Sequence, residues 1–145
     1  MKLNSFAFLA DDELIKALRP HSKAIEVHEE TALFEQGEPA MGVYLIHSGE
    51  VALVMRSDSG VAVMCVQAGP GSLVGLPGAI ANAPYTLTAI ARRDSEIRFT
   101  SRKDLCELLA TRPALYPGIL EILSAEVREM RRAFLDCRER DATLA

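Results

Sequence analysis

The sequence predicts a mainly β fold, a small β-roll, flanked by helices at both ends. The strongest support comes from residues 37–66, where short apolar runs are separated by turn residues about every ten positions, as in β sandwiches and barrels. A second observation is the uncharged, glycine- and proline-rich stretch 69–91, which predicts a turn, a short helix, a loop and a strand. The third is a C-terminal run of apolar residues at spacings of four and three, which predicts a long helix.

Composition and charge limit the classes of function. The chain has 145 residues, 49% hydrophobic and 25% charged, as expected for one globular domain. We divide it into a roll, residues 1–112, and a long helix, residues 113–145. The net charge of −4 argues against direct nucleic-acid binding, because phosphate contacts need clustered lysine and arginine. No segment suits a membrane span, and three well-separated cysteines fit a reducing compartment, so we expect a cytoplasmic protein without membrane contact.

The N-terminal region predicts two helical segments followed by strands. Asn4 or Ser5 is a candidate cap for a short helical turn through Leu9. The acidic run 11–13 then begins a helix that ends near Arg19, before a proline. After it the apolar period shortens, which predicts strands around Ile25, Val27, Ala32 and Phe34.

The central region predicts a series of hairpins and then a helix. Ser48-Gly49 fits a tight hairpin turn, and residues 57–60 fit a second turn. Ser101 and Asp104 resemble a capping box at the start of a helix that ends before Pro113. The predicted strands are residues 43–46, 51–55, 61–66, 86–91 and 96–100.

A candidate ligand pocket lies within the uncharged stretch. Gly75 precedes a short apolar run, residues 76–81, and Pro77 fits the first turn of a helix because its missing N–H has no helical partner there. Exposed N–H groups at such a turn suit an anion or a polar ligand. The candidate pocket residues are Val74, Gly75, Leu76, Pro77, Gly78, Pro84, Tyr85 and Thr86.

The last helix, residues 117–140, carries an apolar stripe with coiled-coil spacing. One interpretation is that the helix folds back and buries this stripe on its own roll. We favour a parallel seam between two chains, because a helix this long cannot bury the stripe along its full length in so small a domain. The seam residues are Leu120, Leu123, Val127, Met130, Phe134 and Cys137, preceded by Tyr116.

Four short motifs occur in order: Phe34-Glu35-Gln36-Gly37-Glu38, Tyr44-Leu45-Ile46, Ser48-Gly49-Glu50-Val51 and Gly71-Ser72-Leu73-Val74-Gly75. They resemble the sensory cyclic-nucleotide-binding domain of the catabolite activator and fumarate–nitrate regulator (Crp/Fnr) superfamily, with the last motif similar to the start of its phosphate-binding cassette. The resemblance implies a jelly-roll, or double-stranded β-helix, a homodimer through the last helix, and a role in signal transduction for transcription regulation. Such regulators continue into a winged helix-turn-helix. We therefore expect this chain, without a DNA-binding domain, to be a stand-alone sensor or a fragment of a longer regulator.

Two cassette positions depart from the family pattern. The resemblance implies a glutamate for the ribose hydroxyl where this chain has Leu76, and an arginine for the cyclic phosphate where Tyr85 lies nearest. A buried phosphodiester without a cation is costly, and leucine leaves the ribose hydroxyl unpaired. We therefore expect no cofactor, no ordinary cyclic AMP or cyclic GMP binding, and an effector of unknown chemistry. The alternative is a genuine cyclic-nucleotide or small-anion site that uses the N–H groups from Gly75 to Gly78 together with Tyr85.

Other candidate sites have simpler explanations. Some members of the family bind haem through histidine or cysteine, which makes His47 or Cys65 an alternative iron ligand. We favour a surface histidine and a small core cysteine. The acidic and basic residues of the last helix predict a solvated face; they are Glu121, Glu126, Glu129, Glu139, Arg128, Arg131, Arg132, Arg138 and Arg140.

The sequence favours a non-enzymatic sensor domain. It contains no recognisable nucleophile–base pair, paired carboxylates or metal-ligand triad, so we predict neither enzyme activity nor a metal site. Signals would pass through the dimer helix. The alternative from another class is a protein-interaction module whose pocket is filled by its own side chains.

Overall fold

The structure, a computed structural model, describes the backbone of residues 6–144 and the side chains of residues 6–136. The helices are α1 (Asp12–Leu18), α2 (Leu76–Ala81), α3 (Arg102–Thr111) and α4 (Tyr116–Leu144), with 3-10 turns at Arg19–His21 and Pro113–Leu115. The strands are β1 (Lys23–Val27), β2 (Ala32–Phe34), β3 (Gly42–Ser48), β4 (Val51–Arg56), β5 (Ala62–Ala68), β6 (Leu73–Val74), β7 (Thr88–Ala91) and β8 (Ser95–Ser101).

The strands form two antiparallel sheets that share one core. Their orders are β1-β8-β3-β6 and β2-β7-β4-β5. Val43 and Ile97 from the first sheet and Leu53 and Ala89 from the second belong to the same buried cluster. Gly49 lies in the turn between β3 and β4, where φ is 105° and a Cβ would overlap Ser95, so this turn requires glycine. The predicted hairpin at this turn is wrong: β3 pairs with β6 and β8, whereas β4 pairs with β5 and β7, so the turn carries the chain from one sheet to the other. The predicted β-roll with flanking helices is confirmed, and it matches the jelly-roll architecture.

Two predicted helix starts are confirmed by their capping geometry. The Asp11 carboxylate accepts a hydrogen bond from the Leu14 N–H at 2.8 Å, and acidic residues fill the first turn of α1. The Ser101 hydroxyl accepts from the Asp104 N–H at 3.1 Å at the start of α3. Each cap satisfies an N–H group that has no partner within its helix.

The predicted helical turn through Leu9 is wrong. Residues 6–10 are not helical, and Leu9 forms a β-bridge with Ser72. The Ala7 N–H donates to the Gln67 carbonyl at 2.8 Å, and Phe8 is buried in the core with a φ of 59°. Packing of Phe8 on the roll therefore overrides the local helix signal. The two proposed cap residues lie outside the residues that the structure describes.

The long helix α4 contacts β5 and α2 through one face. Ile119, Ile122 and Ala133 are buried on that face. The predicted seam lies on a neighbouring face: Leu120, Val127 and Phe134 are 59%, 63% and 60% exposed, whereas Leu123 and Met130 are half-buried against the core.

The helix therefore packs on its own roll mainly through residues that do not belong to the predicted stripe. Cys137 falls outside the residues whose side chains are described. Homodimerisation and the domain boundary at residue 112 stay predictions. Within residues 6–144, no helix combines the length and the apolar character needed to cross a membrane.

Candidate functional site

The candidate cassette begins with a left-handed glycine and a short helix. Gly75 has a φ of 86° and precedes α2, whose first turn contains Pro77. A Cβ at Gly75 would lie 3.0 Å from the Tyr85 ring, so both the backbone conformation and the available space favour glycine. At Gly78 a Cβ would lie 2.9 Å from the loop before β3. The short helix is therefore held closely against the roll.

Tyr85 joins the cassette to two other segments. Its hydroxyl donates a hydrogen bond to the Gly42 carbonyl (2.7 Å) and accepts one from the Gly42 N–H (3.3 Å). Its own carbonyl accepts from the Gly37 N–H, and its N–H donates to the Glu38 carbonyl, both at 2.9 Å. Burial raises the pKa of the phenol, which keeps the hydroxyl protonated as a donor.

The Tyr85 ring belongs to an aromatic cluster formed by Phe34, Tyr44, Tyr85 and Phe99. Tyr85 stacks on Phe34 with 4.0 Å between ring centroids and 25° between the ring planes. Tyr44 lies 5.3 Å from Phe34 and 5.0 Å from Phe99, again between centroids. Burial also raises the pKa of the Tyr44 phenol. The sequence analysis did not identify this cluster, although it placed Phe34, Tyr44 and Phe99 in predicted strands and Tyr85 in the candidate pocket.

The cavity beside the cassette is almost completely filled. Its volume is about 10 Å³, roughly the space of one water molecule. The lining residues include no lysine, arginine or histidine, and Arg92 and Arg93, which follow β7, pair with Glu30 and Glu50 instead. A phosphate here would have no cation among the residues that line the cavity, which are Phe34, Gly75, Pro77, Gly78, Tyr85, Thr86, Leu87 and Glu126.

Five of the eight predicted pocket residues line this cavity: Gly75, Pro77, Gly78, Tyr85 and Thr86. The other three lie elsewhere. Val74 and Leu76 are buried in the core, and exposed Pro84 forms a β-bridge with Pro39. The structure therefore brings five of the predicted residues together around a cavity that is almost filled by side chains of the chain itself.

Glu126 is the site residue whose environment the sequence analysis misjudged. This residue of α4 is only 2% exposed and lines the cassette cavity. Neither carboxylate oxygen has a hydrogen-bond partner among the described residues. Burial raises the pKa of this carboxyl group from 4.5 to about 7, because low-dielectric surroundings disfavour the charged form.

The prediction of a solvated charged face is wrong for Glu126 and correct for exposed Glu121 and Arg128. Helical periodicity contains the missed signal, because residues three, four and seven apart share a face. Glu126 lies four residues after Ile122 and seven before Ala133, both of which are buried. Its charge led us to group it with its exposed neighbours.

The two alternative iron ligands lie in different sheets. His47, on β3, is exposed, as predicted for a surface residue. The prediction that Cys65 is a core residue is wrong: the thiol is exposed on β5. Strand alternation explains the difference, because Met64 takes the inward position and the next side chain points outward.

Comparison with known proteins identifies the family. The profile described as "Cyclic nucleotide-binding domain" matches residues 24–112, which include both sheets and the cassette. The chain belongs to this family. Residues 24–112 also include the motifs that resemble the Crp/Fnr superfamily.

Among related proteins of the family is the transcriptional activator protein Anr of Pseudomonas protegens, 28% identical over 135 residues, which span 93% of this chain and 52% of Anr. The cyclic AMP receptor protein of Thermus thermophilus is 27% identical over 97 residues, 67% of this chain and 45% of the receptor. The crystal structure of the Thermus thermophilus catabolite activator protein aligns with a TM-score of 0.72 and 25% identity, covering 92% of this chain and 61% of that one. The chain thus spans about half the length of the first two relatives.

Proposed function

We propose that this chain is a non-enzymatic sensor or regulatory domain of the Crp/Fnr type that signals through a homodimer of α4. In this proposal it does not bind cyclic AMP or cyclic GMP in the usual way. The observation that carries the proposal is the filled cassette. Its cavity is about 10 Å³, whereas small-molecule sites usually measure about 300–1,000 Å³.

Side chains of the chain itself take the space beside the cassette. The stack of Tyr85 on Phe34 and the hydrogen bonds of Tyr85 to Gly42 support this interpretation. A nucleotide beside Gly75 would have to displace side chains that line the cavity, and displacement of the Tyr85 ring would break both hydrogen bonds. The energy that binding released would first have to offset that loss.

The charges around the cavity also disfavour a cyclic phosphate. Leu76 is fully buried at the position that matches the ribose-binding glutamate of the family pattern. Among the residues that the structure describes, no cation lines the cavity, and the ionisable carboxyl group that does line it, Glu126, would repel an anion when ionised. The electrostatic environment is therefore the reverse of the one that a phosphodiester requires.

The exposed stripe of α4 supports a homodimer. Leu120 and Val127 are seven residues apart and largely exposed, at the spacing that brings two parallel helices together. Half-buried Leu123 and Met130 border them and join the stripe to the core of the roll. A second copy of the chain, bound along this stripe, would cover the exposed apolar surface. We further propose that the dimer is cytoplasmic, contacts no membrane, and binds no nucleic acid through this chain alone.

Sedimentation equilibrium with a seam variant tests the dimer. We expect the chain to sediment as a dimer and Val127→Glu to shift it toward monomer, because the new carboxylate would be buried opposite its own copy. Arg128→Gln is the matched control, since it makes the same change in charge at an exposed residue outside the stripe. We expect the control to remain dimeric. A monomeric parent chain, or equal behaviour of the two variants, would contradict the proposal.

The second candidate function is a protein-interaction module with a self-filled pocket. The small cavity favours it as well. This candidate differs from the dimeric sensor in the partner of α4, since the exposed stripe would then bind another protein. A parent chain that stays monomeric at high concentration would favour this candidate over the dimeric sensor.

A further inference from the structure

Glu126 lies where the long helix meets the cassette. Its side chain is 2% exposed and faces the cavity lined by α2 and by the Tyr85 ring. Both carboxylate oxygens lack hydrogen-bond partners among the described residues. An unpaired charge in such a place is strongly unfavourable, whereas the neutral acid leaves a smaller penalty. The protonation state of this group therefore affects how well α4 packs on the cassette.

Among the described residues, the elements packed around Glu126 offer no compensating charge. Residues 69–91, which include α2, contain no Asp, Glu, Lys, Arg, His or Cys. Tyr85 is the titratable group that faces Glu126 from the cassette, and its hydroxyl already donates to Gly42. Strand β2, on the side of Phe34, has no titratable residue.

Titratable groups on the other neighbouring elements have hydrogen-bond partners of their own or are exposed to solvent. One turn along α4, Glu129 accepts hydrogen bonds from Arg132 at 3.3 Å. Strand β5, which α4 also contacts, has the exposed Cys65 as its titratable residue. The local environment of Glu126 is therefore apolar on each of these sides.

We propose that Glu126 is a proton-binding site that couples the cassette to α4. With the proton bound, this turn of the helix stays packed on the cassette; when the proton leaves, the charged carboxylate moves toward water and the turn loosens. A cavity with the volume of one water molecule leaves the proton as the effector that enters without opening the roll. The pKa of about 7 places this change near neutral pH.

The effect on a partner chain follows from the geometry of the helix. Glu126 and Val127 are consecutive, so their side chains project about 100° apart around the helix axis. A shift that frees Glu126 from the cassette would also rotate or displace the exposed stripe. This last step rests on the proposed dimer, whereas the proton-dependent packing of α4 does not.

Hydrogen–deuterium exchange at pH 6 and pH 8, corrected for the pH dependence of intrinsic exchange, tests the proposal. A carboxyl group that titrates near 7 when packed and near 4.5 when released raises the local opening equilibrium about tenfold between these pH values. We expect that increase in α2 and in the middle of α4 of the parent chain. Glu126→Gln, which cannot ionise, should remove it, and Glu121→Gln, an exposed acid on the same helix, should leave it unchanged.

Equal pH dependence in the parent chain and Glu126→Gln would overturn the proposal. If Glu126→Gln does not fold, a carboxyl ¹³C NMR titration of the parent chain decides: a Glu126 midpoint near 7 supports the proposal, and one near 4.5 overturns it. Sedimentation of the same samples tests the proton site separately from the proposed dimer. A pH-dependent opening in a chain that sediments as a monomer would support the proton site and contradict the dimeric sensor.

Discussion

At the scale of single residues, Tyr85 accounts for the filled cassette. One side chain forms two hydrogen bonds to Gly42 and a stack on Phe34, while its backbone pairs with the turn before β3. In the family pattern a cation lies near this position and meets an anionic ligand. Here the aromatic ring of Tyr85 occupies the space beside the cassette, which is the basis for the proposal that the domain does not bind a cyclic nucleotide in the usual way.

Removal of the Tyr85 hydroxyl should destabilise the domain without changing its shape. Tyr85→Phe leaves the Gly42 carbonyl and N–H without this partner in a buried place, so we expect a loss of about 1–2 kcal/mol in the free energy of unfolding. Urea denaturation measures it. Tyr116→Phe, at a largely exposed position, is the control and should change little. Equal effects of the two substitutions would argue against a structural role for Tyr85.

Glu126 should make the stability of the domain depend on pH. Its pKa is raised from 4.5 to about 7 in the folded state, so the unfolded chain loses this proton first. The contribution of Glu126 to the free energy of unfolding is then complete below about pH 4.5. It falls by about 1.4 kcal/mol per pH unit up to about pH 7. Relative to Glu126→Gln, we expect a total loss on the order of 3 kcal/mol across this range. Urea denaturation at several pH values measures it, and a constant difference between the two proteins would exclude this assignment.

At the scale of elements, the sequence predicted most of the roll because local signals and packing agree there. The acidic start of α1 and the Ser101 cap form as expected, and the turn at residues 57–60 joins β4 and β5 as a hairpin. The failures occur where long-range packing decides. Phe8 is drawn into the core and prevents the helical turn, and Glu126 is buried by an apolar face that its own charge obscured. The self-filled cavity was only an alternative in the sequence analysis, since it depends on β2, the loop before β7 and α4, which lie far apart in sequence.

The tight start of α2 should tolerate no side chain at Gly75. Gly75 and Gly60 have φ values of 86° and 89°, so alanine strains the backbone equally at both positions, by roughly 1 kcal/mol. At Gly60 a Cβ would meet nothing within 4 Å, whereas at Gly75 it would lie 3.0 Å from the Tyr85 ring. We therefore expect Gly75→Ala to cost more than Gly60→Ala in chemical denaturation. A smaller cost at Gly75 would mean that the ring yields easily and that the cassette is less tightly packed than described.

At the scale of the whole molecule, α4 connects the cassette to the exposed stripe. One face of the helix buries Ile119, Ile122 and Glu126 against the roll, and the adjacent face exposes Leu120 and Val127. A change in the packing of the first face would therefore move the second. In the proposed regulatory domain, the signal would pass along this helix, which packs on the cassette region.

Isothermal titration calorimetry with cyclic AMP and cyclic GMP tests the central claim most directly. The Thermus thermophilus cyclic AMP receptor protein, a relative of known ligand by its name, serves as the positive control. For the present chain we predict no binding heat with either nucleotide, because the Tyr85 ring fills the site and its described lining residues include no cation. Micromolar binding of either nucleotide, abolished by substitution of a residue that lines the cassette cavity, would contradict the account.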